Sequence, residues 1–222
     1  RSSIVTRESF DRQLKALQER LIGLGSMVAQ AQEQAVRALA ERDTQLAQEL
    51  IVADQSINRV QHEIEEQCLL LIASQQPVAR DLRLIFSISS IAWELERMAD
   101  HAKGIAVIAL RLADQPMLKP LIDVPRMAEI GRELLAGQLD AFLRGDIDAA
   151  RQIAERDNEI DQLNDQVYRE LLMIMMNDPR TITRATYLLW VAHNLERFAD
   201  RTTNIGERVV FLRTNAVVEL NE

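Results

Sequence analysis

Two long stretches of the chain carry apolar residues at the spacing of a helix. Ile88, Ile91, Leu95, Met98, Ala102, Ile105, Ala109 and Leu112 recur at alternating intervals of three and four, and Leu188, Val191, Leu195, Phe198, Thr202, Ile205, Val209 and Leu212 repeat the series. Each stripe predicts a long helix packed along one face. Proline breaks helix interiors, so Pro77, Pro116, Pro120, Pro125 and Pro179 outline the elements. The pattern predicts helices over residues 8–41, 44–74, 77–115, 126–143, 147–176 and 180–218. Asp43 is the expected N-cap of the second helix; Gly145 and Asp146 mark one turn, and Asp178-Pro179 the next. The fold class is all-α, with six helices in two tandem three-helix units. Residues 1–115 form the first unit, 116–125 a proline-rich linker and 126–222 the second.

The two units resemble each other. Leu95-Glu-Arg-Met-Ala-Asp100 and Leu195-Glu-Arg-Phe-Ala-Asp200 agree at five of six positions at an offset of 100. In the second helix of each unit, Asp54-Gln-Ser-Ile57 corresponds to Asp157-Asn-Glu-Ile160 at an offset of 103, with Asp43 over Asp146 in the preceding turn. Duplication makes the halves pseudo-symmetric.

Composition narrows the function. Hydrophobic residues make up 47% of the 222, charged residues 27% and aromatics 4%, a globular and helix-favouring mixture with little support for strands. A net charge of -8 argues against a nucleic-acid partner, which calls for a basic surface. The single cysteine, Cys68, precludes a disulfide within the chain and predicts a reducing, cytoplasmic setting. No signal-peptide pattern is visible. The apolar runs fall short of the roughly 18 residues a membrane span requires, so any membrane association runs through partners.

The chemistry worth weighing is acidic. Glu96 and Asp100, like Glu196 and Asp200, stand one position past their seams and four apart, so each pair projects from one helix flank. Such a pair sets its oxygens at about 6 Å, a spacing that bridges hard cations. Asp54 and Gln61 interrupt the seam of Leu50, Ile57, Ile64 and Leu71, and Asp157 and Asn164 interrupt that of Ile153, Ile160, Val167 and Ile174. An ionised carboxylate on a core seam demands a partner, because burying it alone costs several kcal/mol. The residues leave three readings open: an adaptor, a carboxylate-bridged metal bundle with a storage or metal-dependent enzymatic role, and a purely structural repeat. No Glu-x-x-His, phosphate-cradling glycine loop or nucleophile elbow occurs, which predicts no catalytic residues. His62, His101 and His193 lack ligand spacing, Gly23 and Gly25 read as close helix packing or a bend, and Trp93 and Trp190 read as packing aromatics.

The duplicated Leu-Glu-Arg-x-Ala-Asp, the stretch Gln75-Gln-Pro-Val-Ala-Arg-Asp-Leu-Arg83 and Asp178-Pro-Arg-Thr181 together resemble the PhoU family. The likeness runs from Phe10-Asp11 through Leu118-Lys-Pro-Leu-Ile-Asp123 to Asn204-Ile-Gly-Glu-Arg-Val-Val210. It implies two symmetric three-helix bundles with multinuclear metal clusters on their surfaces. The metal is iron first, with manganese, zinc or magnesium as alternatives. The ligands it implies are Glu96, Asp100, Glu196 and Asp200, with Asp54, Asp157, Asp161 and Asn204 beside them. Asn58 and Gly104 depart from the pattern and weaken the first-half site. The resemblance further implies a non-enzymatic, homodimeric negative regulator of phosphate uptake and of the phosphate-starvation response. Its implied partners are the ATPase subunit of the phosphate ABC transporter and the sensor histidine kinase of the phosphate regulon.

Overall fold

The computed structural model describes residues 2–220. Among them all regular structure is helical: α1 (Ser2–Glu41), α2 (Thr44–Gln75), α3 (Ala79–Leu112), α4 (Asp123–Arg144), α5 (Ile147–Glu155), α6 (Asp157–Asn177), a 3-10 turn (Pro179–Thr181) and α7 (Ile182–Thr214). The six expected helices are present, with the fifth divided into α5 and α6 by a turn at Arg156. There the Arg156 N–H bonds back to Ile153 O instead of continuing the helical ladder.

Local chemistry sets the boundaries. Asp43 accepts from the Leu46 N–H at 2.9 Å, and Asp146 accepts from the Ala149 N–H at 3.0 Å, so the duplicated turns are capped alike. Gly145 closes α4 at φ 64, the left-handed conformation that glycine tolerates best. Several expected boundaries shift, and α3 ends at Leu112, short of residue 115. Pro77 lies outside the helix, Val78 is extended, and α3 opens at Ala79. Pro125 lies inside the first turn of α4, where its missing N–H has no partner to lose, so the linker ends before Asp123. The last α-helix begins at Ile182, after the 3-10 turn, and ends at Thr214, short of residue 218.

In each half a three-helix arrangement forms around one long helix: α3 packs on α1 and α2, and α7 packs on α4, α5 and α6. The halves meet through α3 on α7 and α1 on α4. Phe86 meets Phe211 with ring centroids 6.2 Å apart, Glu94 meets Arg201, His101 meets Asn194, and Arg111 meets Tyr187. Positions rise along α3 as they fall along α7, so the two helices are antiparallel, with the equivalent residues Met98 and Phe198 at the centre of the series.

This crossing decides how the core is shared. One buried cluster joins Leu21, Ile64 and Leu95 of the first half to Leu135, Phe198 and Ile205 of the second. The other joins Ala35 and Ile105 to Met127, Ile160 and Leu195. Each half therefore completes the other's core. Gly25 belongs to this packing as expected, since a Cβ there would come within 2.4 Å of the Leu139 side chain of α4.

Candidate metal centres

The acids fall into two pseudo-equivalent groups, one on the flank where α2 meets α3 and one where α6 meets α7. In the first, Asp54 stands on α2 only 3% exposed, and Glu96 and Asp100 rise from α3. The partner that its seam position demands is Lys103, whose ammonium donates to Asp54 Oδ2 at 3.0 Å. The bond holds the Lys103 ammonium above the usual lysine range. Asp54 Oδ1 and the neighbouring Asn58 Oδ1 are buried without a hydrogen-bond partner. Burial, then the charge of Asp100, raises the Glu96 carboxyl; Asp54 adds to the effect. Gln61 is buried as its seam position predicts, and its amide donates to Glu65.

In the second group Asp157 opens α6, and Asp161 stands one turn on. Glu196 and Asp200 face them from α7. Burial first, and then the charges of Asp161, Asp200 and Glu196, push the Asp157 carboxyl up to about 7. A helix N-terminus favours an anion by about 0.3–1 kcal/mol, and here that preference loses to burial among like charges. Asp157 Oδ1 is buried without a partner. Burial, with Asp200 next, raises Asp161, and burial with Asp200 raises Glu196. On the rim, Arg197 donates to Asp200 at 2.8 Å from within the same helix.

These shifts fix a pH dependence. A carboxyl raised in the folded state costs nothing below its unfolded pKa and destabilises progressively as pH rises toward the folded value. In metal-free protein, Asp157→Asn is expected to add about 1–2 kcal/mol at pH 8, a figure discounted for the partial exposure of the site. The gain should vanish by pH 4; denaturant melts at the two pH values measure it. An equal effect at both would contradict the buried charge.

Not every expected residue joins a group. Asn204 lies in the α3–α7 crossing, where its amide donates to Glu94 Oε2 at 3.1 Å. Gly104, its counterpart, lies against Asn194: a Cβ there would stand 3.1 Å from the Asn194 side-chain oxygen. Trp93 and Trp190, expected as packing aromatics, are 40% and 54% exposed. His62 and His193 are exposed, near Glu65 and Glu196, and half-buried His101 hydrogen-bonds Asn194. Cys68 is buried, and burial pushes its thiol up to about 12, far from a reactive thiolate. Sequence reasoning missed Lys103, although its place three residues past Asp100 sets it on the acidic flank.

Among the described residues no three His, Cys, Asp or Glu side chains converge closely enough to hold one metal ion. The donor set itself, carboxylates with two orphaned buried aspartate oxygens, fits hard and borderline cations. No helix among these residues is long and apolar enough to cross a membrane.

The PhoU domain model matches residues 21–109 and 124–209, once in each half. The chain belongs to the PhoU family. Its matches include the phosphate-specific transport system accessory protein PhoU homolog of Streptococcus pneumoniae, 37% identical over 97% of this chain and 100% of the relative. The protein of that name from Pseudomonas putida is 36% identical over 92% of this chain and 80% of the relative. The crystal structure of the phosphate transport system regulatory protein PhoU from Streptococcus pneumoniae superposes with a TM-score of 0.87 at 36% identity, covering 95% of this chain and 99% of that one. PhoU from Pseudomonas aeruginosa superposes at 0.88 with 34% identity, over 93% and 100%. These PhoU relatives carry the names of accessory and regulatory proteins, and the chain is accordingly an accessory or regulatory component of phosphate transport.

Proposed function

We propose that this PhoU-family chain is a negative regulator of phosphate uptake that acts without a catalytic reaction. It links the ATPase subunit of the phosphate ABC transporter to the sensor histidine kinase and keeps the phosphate-starvation response silent when phosphate is plentiful. One observation carries the reading: nearly the whole chain matches relatives named for accessory roles in phosphate transport. The fold suits an adaptor. Its interlocked cores make the two acidic flanks parts of one rigid body, which lets two partners be held in a fixed relation.

Glu96 and Asp100 in the first half, and Asp157, Asp161, Glu196 and Asp200 in the second, are the residues proposed to hold iron or another transition metal. Manganese, zinc and magnesium are the alternatives, and zinc suits an all-carboxylate donor set least. A bound cation would neutralise clustered carboxylates and fix the surface they form. The protein's own residues supply the rest, since burial of Asp54 and Asp157 holds a carboxylate at the floor of each group.

The regulatory reading is tested in cells lacking this chain, with a reporter under control of the phosphate-starvation response. High reporter output in ample phosphate, silenced again by the wild-type gene, is the expected result. A reporter that stays silent in its absence would sink the proposal.

A further inference from the structure

The corner between α2 and α3 presents apolar side chains to solvent where the fold does not require them. Leu82 and Phe86 stand one turn apart on α3, and with Val78, the residue before the helix, they are 40%, 53% and 76% exposed. Phe86 extends the patch to Phe211 of α7, with ring centroids 6.2 Å apart. Val78 is held out between two left-handed residues, Gln76 at φ 45 and Ala79 at φ 50, a conformation that costs non-glycine residues stability. Beside Val78 a cleft of about 400 Å³ opens over Phe10 and Pro77. The second half builds the same corner otherwise. At the offset of 100 that relates α3 to α7, Asp178, Ile182 and Thr186 replace Val78, Leu82 and Phe86. Asp178 ends α6 at φ -142 and accepts from the Arg180 N–H at 3.1 Å, and no residue of that turn is left-handed. The strained, aromatic-tipped corner is thus peculiar to the first half.

The corner is also basic in an acidic chain. Between Glu66 and Glu94 the sequence holds one acid, Asp81, and Arg7 pairs with it at 2.8 Å. Arg80 is exposed at the start of α3, and Arg83 follows Leu82 with its Nε buried and without a hydrogen-bond partner. The Arg208 guanidinium lies over the Phe211 ring, 5.6 Å from its centre. Glu207, one turn before Phe211, accepts from the Leu220 N–H. Aromatic, aliphatic and arginine side chains gathered beside a cleft have the composition of an interface hot spot. Their charge calls for an acidic partner. A net charge of -8 sets the chain against an anionic bilayer, whose flat surface would also leave the cleft unfilled.

We propose that the α2–α3 corner docks an acidic amphipathic helix of a partner protein, its apolar side chains set on Val78, Leu82 and Phe86 and its carboxylates toward Arg80, Arg83 and Arg208. The proposal rests on the adaptor reading and deepens it by naming the chemistry of one partner's segment. The probe is a synthetic helical peptide of about 15 residues, Glu and Leu with Leu at i, i+3, i+4 and i+7, followed by fluorescence anisotropy against the purified chain. Its twin with Lys in place of Glu is the control. The acidic peptide is expected to bind, more weakly as salt rises, and Val78→Ser with Leu82→Ser should weaken it by about tenfold or more. Arg83→Gln with Arg208→Gln should also weaken it and flatten the salt dependence, so that one poorly folded variant does not decide the matter. Ile182→Ser, at the second-half corner, should change nothing. In cells the Val78 and Leu82 double variant should fail to silence the phosphate-starvation reporter. The site is overturned if wild type does not bind the acidic peptide, if Ile182→Ser weakens it equally, or if the Lys twin or phosphatidylglycerol vesicles bind through the same residues. A double variant with native circular dichroism that has lost the peptide yet silences the reporter fully would overturn it as well. Wild-type protein that binds the peptide but does not silence the reporter would instead sink the regulatory reading.

Discussion

Replacing Phe198 with alanine is expected to cost about 3–5 kcal/mol of folding stability. The ring is the largest fully buried side chain among the described residues, and it sits at the centre of the antiparallel α3–α7 series. It also packs against α4 so closely that a Cβ on Gly131 would stand 3.2 Å from a ring carbon. Small movements of α4 cannot close the void, because the same helix contributes Leu135, Leu139 and Phe142 to the cluster that contains Phe198 and the first-half residues Leu21 and Ile64. Since both halves share that cluster, the loss should appear as one cooperative transition displaced to lower denaturant, without an early-melting second half. Trp190→Ala, at a position 54% exposed, is the comparison and should cost under about 1 kcal/mol. Two separated transitions in the Phe198 variant would contradict the shared core.

The second large effect belongs to Glu94. Its carboxylate accepts from Arg201 at 3.0 Å and from Asn204 at 3.1 Å, with side chains only 20% and 17% exposed for the ion pair. Arg201 Nε is already buried without a partner. Glu94→Ala would leave the guanidinium nearly enclosed with no counter-charge, which is expected to cost about 2–4 kcal/mol. Glu94→Gln keeps the shape and an acceptor and should cost roughly half as much. High salt should change the penalty little, since the pair is shielded from solvent. A loss below about 1 kcal/mol for the alanine variant would class the contact with ordinary surface pairs.

The crossing also explains what the sequence could reveal and what it could not. The seams of α3 and α7 were legible because each repeats at helical spacing within one segment, and every apolar residue of the α7 seam from Leu188 to Val209 is buried. Capping was legible for the same reason, as Asp43 and Asp146 act within three residues of themselves. The sharing of cores was not, because it depends on Phe86 meeting Phe211 and His101 meeting Asn194, contacts about a hundred residues apart in the chain. A proline-rich segment between two repeats looks like a boundary between independent units, yet antiparallel packing of the repeats removes that independence.

The acids show the same division. The pairing of Glu96 with Asp100, and of Glu196 with Asp200, follows from helical spacing alone. That Asp54 needs a partner follows from its seam position, but the identity of the partner required knowing that α2 lies against α3 at Lys103. The resemblance groups Asn204 with the acids, whereas its amide donates to Glu94 across the α3–α7 crossing. At Arg156 neither glycine nor proline marks the break. Its guanidinium donates to Glu133 on α4 and to Glu159 on α6, a tertiary anchoring invisible in local spacing.

The proposed regulatory role is tested most directly by capture from cells grown in ample phosphate, using this chain as bait and quantifying two proteins: the ATPase subunit of the phosphate transporter and the sensor histidine kinase. Co-purification of both, lost on phosphate starvation, is the expected result. Capture of neither in ample phosphate, by bait shown to be folded and to silence the starvation response, would contradict the adaptor account.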